Sequence, residues 1–449
     1  MMVRVVRIHK QIILDIVGWV SLTLYVDPCK SQALAYTRDM FISILKEKRI
    51  LLGVTGSIAC YKAIDLASKL TQAGALVDVI ITESAQKFVS PLSFQSVTGR
   101  KAYSDMWDLE DHIQHVRLGE SADLFVVAPA TANTIAKLAH GLADNLLTVT
   151  ALAARSPVLI APAMDGAMFE SVTNQANMNL LLERGVVFAG PVSGRMASGL
   201  VGKGRMVEPT ELIGHIRIIL GRGGSLKNKH VVVTAGPTQE PLDPVRFLTN
   251  RSSGKQGVAL AQAALDMGAQ VILITGPVQE SIPIGTEHIS IRTAEEMKDA
   301  VQNAVQDADI LLMSAAVSDF RPLSASVQKI KKGNTNTLSV ELVKNPDILE
   351  EVLKHKERTG RPAITLGFAA ETENVLQAGL EKLKQKGLDF IAINDVTSED
   401  AGFAVDTNRV LLVDAAGNSE EFPLLSKSEI AEYIVRAVAN KLRGHNSGH

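Results

Sequence analysis

A long polar segment follows an apolar run near the middle of the chain. The segment TAGPTQEPLDPVRFLTNRSSGKQG covers residues 234–257 and separates the apolar run 231–233 from a helical pattern that begins at Val258. Glycine between a strand and a helix is typical of a phosphate site, because backbone N–H groups and the helix N-terminus favour anions. This connection is much longer than a dinucleotide-binding turn and is rich in Asn, Ser, Thr, Arg and Lys. A phosphate site formed by the glycines does not explain what the additional polar residues bind.

A second candidate phosphate site lies in the first half of the chain. In the stretch GVTGSIACYK, Gly56 and Ser57 occupy a strand-to-helix turn, where small residues let backbone amides approach a phosphate. Two further strand ends could bring hydroxyl and amide groups to the same crevice, those of Thr82, Ser84, Thr131 and Asn133. The glycine could equally serve only the geometry of the turn, and Thr131 and Asn133 could be helix N-caps.

Several charged residues have an ordinary structural explanation as well as a chemical one. His115 could be a polar residue without a chemical role, and Asp319, which ends a predicted strand, could cap a turn. The run KIKK, which begins at Lys329, is by itself typical of a solvated basic surface. Lys382 and Lys386 could face solvent on an ordinary helix. Residue type alone therefore assigns no role to any of them.

The composition limits the classes of protein to which the chain can belong. Its 449 residues exceed what one hydrophobic core normally supports, so at least two domains are expected. A hydrophobic content of 46% and a charged content of 21% are those of a globular protein. A net charge of −2 and 4% aromatic residues argue against nucleic acid as a partner. The two cysteines, Cys29 and Cys60, make no disulfide framework, so a reducing, cytoplasmic location is expected.

The first 39 residues need a separate explanation. The stretch RVVRIHKQIILDIVGWVSLTLYV has the basic and apolar regions of a signal peptide, and SQALAY could pass for a cleavage site. Asp15 interrupts the apolar run, which is too short for a membrane span, so no membrane partner is expected. The alternative is a dispensable extension with Met40 as the working start. On that interpretation residues 1–47 lie outside the folded domains.

The rest of the chain alternates twice between strand-like and helix-like segments. The apolar run RILLGV at 49–54 predicts a buried strand, and CYKAIDLASKLTQAG predicts a helix that ends at Gly74. The same order of strand, loop, helix and strand begins again at His230. Strands separated by helices indicate two doubly wound, Rossmann-like α/β domains, with ligand sites at the carboxyl ends of their parallel strands.

Local composition predicts the boundary between these domains and one further helix. Residues 221–228 are glycine-rich and charged, and we expect them to link a domain at 48–220 to one at 229–449. In the second domain the stretch NPDIL predicts a helix start, with Asn345 as the N-cap and Pro346 as the first helical residue.

Longer motifs make the chain resemble known families. GVTGSIACYK, HIQHVRLGESADLFVVAPATANTIAKLAHGLADNLL and APAMDGAMFE resemble the flavin-dependent cysteine decarboxylases, which implies a flavodoxin-like flavoprotein domain that carries FMN. The segment at 234–257, with AAVSDF, KIKK and KNPDIL, resembles the phosphopantothenate–cysteine ligases. Both halves in this order resemble the bifunctional enzymes of coenzyme A biosynthesis, over residues 48 to about 440.

For the second half, the resemblance implies a ligase that activates the carboxylate of 4′-phosphopantothenate with CTP and Mg²⁺. Pyrophosphate leaves as an acyl-cytidylate forms, and cysteine then displaces CMP. Asn250 matches the asparagine that handles this intermediate, Lys329 the lysine that helps to form it, and Asp319 a carboxylate that can hold Mg²⁺. The positions that match the CTP site are Ala315, Asp319, Lys329, Pro346, Asp347, Ile348, Leu349, Phe368, Lys382 and Lys386.

For the first half, the resemblance implies an FMN-dependent decarboxylase that yields 4′-phosphopantetheine. His115 matches the family's active-site base, whereas His112 has no such match. The family's decarboxylase half forms trimers and its ligase half forms dimers, which together imply a closed homo-oligomer. The positions that we expect to bind FMN are Gly56, Ser57, Ile58, Thr82, Ser84, Thr131, Asn133 and Ala163.

Two positions depart from the decarboxylase pattern. Asp165 stands in PAMDGAMF where the family usually has asparagine, and Ser198 stands where the family's flexible flap has a cysteine. We interpret the pair as a variant catalytic site, and the alternative is a flavin-binding half without activity beside a working ligase. A third possibility is an NAD(P)-dependent oxidoreductase, against which the absence of a GxGxxG motif with a following acidic residue counts.

Overall fold

The computed structural model describes most of the chain. The described residues are 42–107, 113–195, 199, 201–331, 337–371, 375–395 and 405–446. The expectations for residues 1–39, for Met40, for His112 and for Ser198 lie outside these residues.

The first half is built on a six-stranded parallel sheet. Its strands are β1 (Arg49–Val54), β2 (Leu76–Ile81), β3 (Ala102–Tyr103), β4 (Leu124–Ala130), β5 (Val158–Pro162) and β6 (Val187–Phe188). They lie in the order β3-β2-β1-β4-β5-β6, and every pair is parallel. This is the 3-2-1-4-5-6 order of dinucleotide-binding folds, not the 2-1-3-4-5 order of flavodoxin itself. The doubly wound α/β class is confirmed.

Helices cover both faces of this sheet. Along β1, Ile50 and Leu52 belong to one apolar cluster and Leu51 to the other, because successive side chains of a strand point to opposite faces. Burial on both faces explains why the strand sequences are apolar without alternation. The helices are α1 (Cys60–Gln72), α2 (Glu83–Gln86), α3 (Pro91–Thr98), α4 (Gln114–Ser121), α5 (Ala132–His140), α6 (Leu146–Ala153), α7 (Gly166–Glu170), α8 (Val172–Glu183) and α9 (Pro209–Gly221). Before α9, β7 (Val192–Arg195) and β8 (Val201–Arg205) form a separate antiparallel hairpin.

The first domain begins earlier than residue 48, the expected start. A single helical turn at Ser43–Leu45 precedes β1, and Leu45 is fully buried in the apolar cluster that also contains Leu66 of α1. The backbone N–H of Ile42 donates to the carbonyl of Ala73 at 3.3 Å. The expectation that residues up to 47 lie outside the fold is therefore wrong from Ile42 onward, since Leu45 contributes to the core.

The second half contains a larger mixed sheet. Its strands in chain order are β9 (His230–Ala235), β10 (Gln239–Pro241), β11 (Phe247–Thr249), β12 (Gln270–Thr275), β13 (Thr286–Ser290), β14 (Ile310–Met313), β15 (Phe320–Pro322), β16 (Leu342–Lys344), β17 (Ile364–Glu371), β18 (Phe390–Asp395), β19 (Thr407–Asp414) and β20 (Ser419–Ser426). The main sheet has the order β13-β12-β9-β14-β17-β18-β19-β20. Its first six strands are parallel, and β19 and β20 extend it as an antiparallel hairpin. Two small antiparallel hairpins, β10–β11 and β15–β16, lie outside this sheet.

Among the described residues of the second half, five helices accompany the sheet. They are α10 (Lys255–Asp266), α11 (Ala294–Ala304), α12 (Ile348–Thr359), α13 (Val375–Gln385) and α14 (Lys427–Asn446). Val231 and Val233 of β9 pack in one apolar cluster with α10 and α14, and Val232 packs in another with α11 and α12. Within the described ranges, no helix is both long and apolar enough to cross a membrane.

The start of α12 differs from the expected one. Asp347, not Asn345, is the N-cap, and its carboxylate accepts from the backbone N–H of Glu350 at 3.1 Å. Asn345 is engaged elsewhere, because its side-chain N–H donates to the carbonyl of Ser318 at 2.7 Å. Pro346 therefore precedes the cap instead of opening the helix. The correction places a carboxylate at a helix N-terminus, where it also interacts favourably with the helix dipole.

The expected linker, residues 221–228, is packed and not extended. Leu226 is fully buried, and its backbone N–H donates to the carbonyl of Met267 at 2.8 Å. Arg217 of α9 forms an ion pair with Asp266 at the end of α10, with 2.5 Å between nitrogen and oxygen. The two halves thus contact each other through α9 and α10.

Candidate functional site

The expected flavin-binding residues gather at one edge of the first sheet. They follow β1, β2, β4 and β5, which are adjacent in the order β2-β1-β4-β5. Chain growth reverses between β1 and β4, and ligands of doubly wound folds bind in the crevice at such a point. The structure thus brings together the segments that carry Gly56, Ser57, Ile58, Thr82, Ser84, Thr131, Asn133 and Ala163.

A buried threonine, which the sequence analysis did not identify, joins two of these segments. The hydroxyl of Thr55 donates to the carbonyl of Pro129 at 2.7 Å and accepts from the backbone N–H of Thr131 at 3.0 Å. Thr55 is 1% exposed. The end of β1 is thereby fixed against the end of β4, which sets the width of the crevice between them.

Gly56 is required by a close approach. A Cβ atom built on Gly56 would lie 2.5 Å from the Cβ of Ser84, closer than real side chains approach. The turn after β1 therefore lies directly against the turn after β2. Ser57 is half-buried beside Gly56, and Ile58 exposes 61% of its surface.

Three of the expected site residues cap short helices. The hydroxyl of Thr82 accepts from the N–H of Ala85 at 3.3 Å, and that of Thr131 from the N–H of Thr134 at 3.4 Å. The carboxylate of Asp165 accepts from the N–H of Ala167 at 3.1 Å. These side chains therefore have a structural role whether or not they contact a ligand. Two further expected residues make no such cap: Asn133 is exposed in the first turn of α5, and Ala163 is buried at the end of β5.

The segment that contains Asp165 is joined to the flap hairpin. This hairpin consists of β7 and β8, and the backbone N–H of Met164 donates to the carbonyl of Gly204 at 3.0 Å. The residues between β7 and β8, including Ser198, lie outside the described residues except for Gly199. The backbone next to Asp165 is thus held against β8.

His115 lies in the first turn of α4 and is half-buried. Helix α4 packs closely on α6, since a Cβ on Gly119 would lie 3.0 Å from the backbone of Ala153. In the part of the chain that the structure describes, the imidazole of His115 has no hydrogen-bond partner. Its ring nitrogens are therefore not committed to a described structural contact.

The crevice suits a flavin nucleotide. Its phosphate can be received at the start of α1, where the N-cap residue Ala59 makes no side-chain capping bond and the first turn holds no acidic residue. The close packing at Gly56 keeps side-chain atoms out of that position. A small turn, an uncapped helix start and nearby hydroxyl groups are the features that bind such a phosphate.

In the second half, the long segment 234–257 is fastened to the loop that follows β14. The hydroxyl of Thr234 accepts from the N–H groups of Ser314 and Ala315, and the hydroxyl of Thr238 accepts from that of Ser318. Both threonines are fully buried. The segment then forms the hairpin β10–β11, after which the side-chain amide of Asn250 donates to the carbonyls of Ala316 and Val317 at 3.2 and 3.1 Å.

These segments enclose a cleft of about 500 Å³ at the carboxyl ends of the parallel strands. The expected ligase residues that line it are Asn250, Ala315, Asp319, Phe368 and Lys382. Four cationic side chains, Arg251, Lys255, Lys382 and Lys427, line it beside a single carboxylate, that of Asp319. Lys255 is paired with Asp406, so it is Arg251 and Lys382 that give the cleft the positive charge that suits a nucleotide and a phosphate ester.

Apart from Lys329, the remaining expected nucleotide residues lie at the start of α12 and directly after the end of α13, outside the cleft lining. Asp347 and Lys386 form an ion pair with each other. Burial raises the pKa of Asp347, but the Lys386 ammonium and backbone N–H groups outweigh it and hold that pKa below its usual value. Ile348 is 4% exposed in the core, and Leu349 is half-buried against two apolar clusters, so these two position the helix end. Pro346 is half-buried beside them.

Lys329 is exposed and lies on a loop that does not line the cleft. The loop is held next to Lys329 by a buried carboxylate, because Asp243 accepts from the backbone N–H of Ile330 at 3.1 Å. Asp243 also accepts from the guanidinium of Arg246 at 2.6 Å. Burial raises the pKa of Asp243, yet the Arg246 guanidinium and three backbone N–H groups hold it well below its usual value. The anchor therefore stays ionised at neutral pH.

The expected Mg²⁺ site depends on one residue, Asp319. Within the described residues, no group of three or more His, Cys, Asp or Glu side chains is placed to hold a metal ion. Asp319 lines the cleft and is exposed there. A single carboxylate with substrate phosphates and water suits Mg²⁺, which seldom needs a cage made only of protein ligands.

Three polar residues of the cleft lie outside every motif that the sequence analysis quoted. They are Asn394, Asn408 and Lys427, from β18, β19 and α14. Burial and the neighbouring Lys255 ammonium lower the pKa of Lys427, while Asp406 and Glu280 act in the opposite direction. The residues are far apart in sequence and stand in no shared motif, so only the fold reveals them as neighbours.

Two family models cover nearly all of the described chain. The model described as "Flavoprotein" matches residues 43–220. The model described as "DNA/pantothenate metabolism flavoprotein C-terminal domain" matches residues 226–442.

Curated relatives match both halves in one chain. The coenzyme A biosynthesis bifunctional protein CoaBC of Bacillus subtilis is 43% identical over 88% of this chain and 98% of its own length. Those of Vibrio cholerae and Escherichia coli are 42% and 39% identical, over 89% and 88% of this chain and 99% and 98% of their own lengths.

Solved structures match each half separately. The C-terminal domain of a coenzyme A biosynthesis bifunctional protein CoaBC is 34% identical, covers 49% of this chain and 99% of its own, and gives a TM-score of 0.42. A mutant PPC decarboxylase complexed with pantothenoylaminoethenethiol is 32% identical, covers 38% of this chain and 98% of its own, and gives a TM-score of 0.36.

Proposed function

The chain belongs to the family of coenzyme A biosynthesis bifunctional proteins, which makes it both a ligase and a decarboxylase. We propose that the second half joins cysteine to 4′-phosphopantothenate with CTP, and that the first half decarboxylates the product with FMN. The observation that supports the ligase assignment is the cleft, which is lined by Asn250 and by four of the ten expected nucleotide residues, namely Ala315, Asp319, Phe368 and Lys382. The oxidoreductase alternative is not favoured, because the relatives are biosynthetic bifunctional proteins over almost their whole length.

The ligase step needs several anions to be held in one place. The substrate phosphate, the nucleotide phosphates and the activated carboxylate are all negative, and the cleft offers the guanidinium of Arg251 and the ammonium of Lys382. Asn250 is held by two carbonyls, so its amide is fixed before any ligand arrives. Because both of its amide N–H groups are engaged, Asn250 offers its side-chain oxygen as an acceptor, and the donors that can stabilise developing charge are those of Arg251 and Lys382.

Mg²⁺ and Lys329 complete this proposal. Asp319 would hold the metal ion, which shields the nucleotide phosphates from the attacking carboxylate. Lys329 would reach the developing negative charge from its loop, which Asp243 anchors one residue away. An exposed lysine on an anchored loop can move toward a bound nucleotide without disturbing the core.

The decarboxylase proposal assigns roles to residues around the first crevice. FMN supplies the oxidation of the thiol-bearing end of the substrate and the later return of electrons. The turn at Gly56 and Ser57 would bind its phosphate, and His115 would act as the base. Asp165 would contact the substrate carboxylate as a neutral carboxylic acid, which can donate a hydrogen bond to it. Ser198, or a water molecule bound to it, would pass a proton to the product.

The overall reaction gives a direct test. Incubation of the purified, FMN-loaded protein with 4′-phosphopantothenate, cysteine, CTP and Mg²⁺ is expected to yield 4′-phosphopantetheine, which mass spectrometry detects. Omission of CTP should abolish every product, whereas added 4′-phosphopantothenoylcysteine should then be decarboxylated without CTP. Formation of product with no CTP requirement would contradict the ligase assignment.

The exposed apolar residues near the first crevice support assembly. Ile58 and Tyr61, at the turn after β1 and on α1, expose 61% and 62% of their surfaces. Such a group suits contact with another subunit. The proposal is therefore a cytoplasmic homo-oligomer with trimeric contacts in the first half and dimeric contacts in the second.

Light scattering on purified protein is expected to give at least about three times the mass of one chain, since a three-fold contact requires three subunits. A chain that starts at Met40 should assemble equally well. Tyr61→Glu should lower the mass, because a carboxylate would be buried in the contact, whereas Gln72→Glu on the exposed end of the same helix should not. A native protein of single-chain mass would refute this proposal.

A further inference from the structure

Four polar side chains line the ligase cleft without a role in the proposed function. They are Gln256, Asn394, Asn408 and Lys427, and we call them the polar wall. Gln256 lies in the first turn of α10, Asn394 near the end of β18, Asn408 near the start of β19, and Lys427 at the start of α14. The side-chain amide of Gln256 donates to the carbonyl of Lys427 at 3.2 Å, which joins two of these elements.

The polar wall contains polar atoms without partners. Within the described residues, the side-chain oxygens of Gln256 and Asn394 and the side-chain nitrogen of Asn408 have no hydrogen-bond partner, although all three atoms are buried. Asn408 is 1% exposed and lines the cleft. Buried polar groups are normally paired, and exceptions are found where a ligand supplies the partner.

The orientations of two of these amides are fixed by other bonds. Gln256 uses its side-chain nitrogen on the carbonyl of Lys427, so its oxygen faces the other way. Asn408 uses its side-chain oxygen to accept from the N–H of Arg409 at 3.0 Å, which leaves its nitrogen as the unpaired atom. The polar wall thus offers acceptors from Gln256 and Asn394 and a donor from Asn408.

The charges around the polar wall balance. Lys427 is 6% exposed, and one of its N–H groups donates to the carbonyl of Val405 at 2.6 Å. Lys255 beside it forms ion pairs with Asp406 at 2.5 Å and with Glu280 at 3.8 Å. Two ammonium groups therefore face two carboxylates. A polyanion such as a triphosphate gains little there, whereas a ligand that carries both signs can satisfy both.

We infer that the polar wall binds the zwitterionic amino-acid co-substrate, which is cysteine in the proposed ligase reaction. The inference rests on that proposed function. The amino group of the ligand would donate to the side-chain oxygens of Gln256 and Asn394. Its carboxylate would accept from the side-chain N–H of Asn408 and lie near the Lys427 ammonium. The amine is then held in the same cleft as Asn250, at which the activated acyl group is expected.

The first test uses Asn408→Asp, which keeps the size of the side chain and replaces a donor with an oxygen that repels a carboxylate. The KM for cysteine in amide formation is expected to rise about 30-fold, in line with the loss of a hydrogen bond to a charged group. Pyrophosphate release in a single turnover without cysteine should stay within about two-fold of the native rate, because that step precedes the amino acid. Asn303→Asp, on the exposed surface of α11, is the matched control and should change neither quantity.

The second test asks whether Lys427 contacts the carboxylate of the ligand. Native protein is expected to prefer cysteine over cysteamine, which lacks the carboxylate, by at least about 30-fold in kcat/KM. Lys427→Met should reduce this preference to about three-fold or less, and Lys427→Arg, which keeps the charge, should restore most of it. Circular dichroism melting of each variant identifies any that fail to fold, and Asn408→Asp then decides on its own.

The outcomes separate this inference from the function on which it rests. Native protein that releases no CTP-dependent pyrophosphate would refute the proposed ligase and the inference with it. If native protein is active but the variants raise the KM for CTP or for 4′-phosphopantothenate and not for cysteine, the polar wall serves another substrate and the inference is wrong. A preference for cysteine over cysteamine that persists in Lys427→Met would also overturn it.

Discussion

Replacement of Lys329 by alanine is expected to slow CTP-dependent pyrophosphate release at least about 100-fold. One donor directed at developing charge typically contributes about 3–4 kcal/mol to transition-state stabilisation. Lys329 is exposed, so its loss opens no cavity, and the temperature of thermal unfolding should change by less than about 2 °C. Release of pyrophosphate from CTP and 4′-phosphopantothenate, measured without cysteine, isolates the step.

Lys331→Ala provides the matched control, because Lys331 belongs to the same basic run and is exposed. Its rate should stay within about two-fold of the native rate, since surface substitutions seldom have larger effects. A Lys329→Ala protein that releases pyrophosphate at the native rate would remove Lys329 from the mechanism. Equal losses in both variants would indicate a general effect of positive charge and not a specific role.

The sequence predicted the parallel strands well because these strands are buried on both faces. The run RILLGV corresponds to β1, and HVVV begins β9, since a strand between two helix layers must be apolar throughout. The antiparallel hairpin β19–β20 was not predicted. Its strand β20 is largely exposed and carries SEE at its start, so no continuous apolar run marks it.

The positions of the candidate site residues could be predicted to the extent that these residues follow strand ends. Thr82, Thr131 and Ala163 could be placed on one edge because carboxyl ends of parallel strands share an edge. Thr55 and Thr234, which hold those ends together, were missed because a threonine at the end of a strand gives no sign of its partner. Their roles depend on strand neighbours that are distant in sequence.

The polar wall shows a second limit of sequence-based prediction. Asn394, Asn408 and Lys427 come from three separate elements and meet only because β18 pairs with β19 and α14 begins beside them.

The N-cap of α12 shows a third limit of sequence-based prediction. Both Asn345 and Asp347 are residue types that cap helices, and the choice between them depends on Ser318, which takes the Asn345 side chain.

The decarboxylase half is expected to release carbon dioxide from 4′-phosphopantothenoylcysteine despite Asp165 and Ser198. The crevice that suits FMN is present, and His115 is not engaged by any described hydrogen bond. Asp165 caps α7 through its carboxylate, as asparagine would through its amide oxygen, so the substitution keeps the local backbone. The aspartate lacks the amide N–H donor of asparagine. Ionised aspartate only accepts hydrogen bonds, whereas asparagine can also donate one to a substrate carboxylate.

Carbon dioxide and 4′-phosphopantetheine should therefore be measured separately in the native protein and in two variants. Asp165→Asn is expected to increase carbon dioxide release at least about 10-fold, because it restores a hydrogen bond to a charged group, which contributes about 1.5–3 kcal/mol. Ser198→Cys should leave carbon dioxide release unchanged and raise the fraction that ends as 4′-phosphopantetheine, because a thiol is a stronger proton donor than a hydroxyl. Accumulation of an oxidised enethiol in the native protein, relieved by Ser198→Cys, would show that the serine limits the final reduction. No carbon dioxide from FMN-loaded native protein would contradict the assignment of decarboxylase chemistry to these residues.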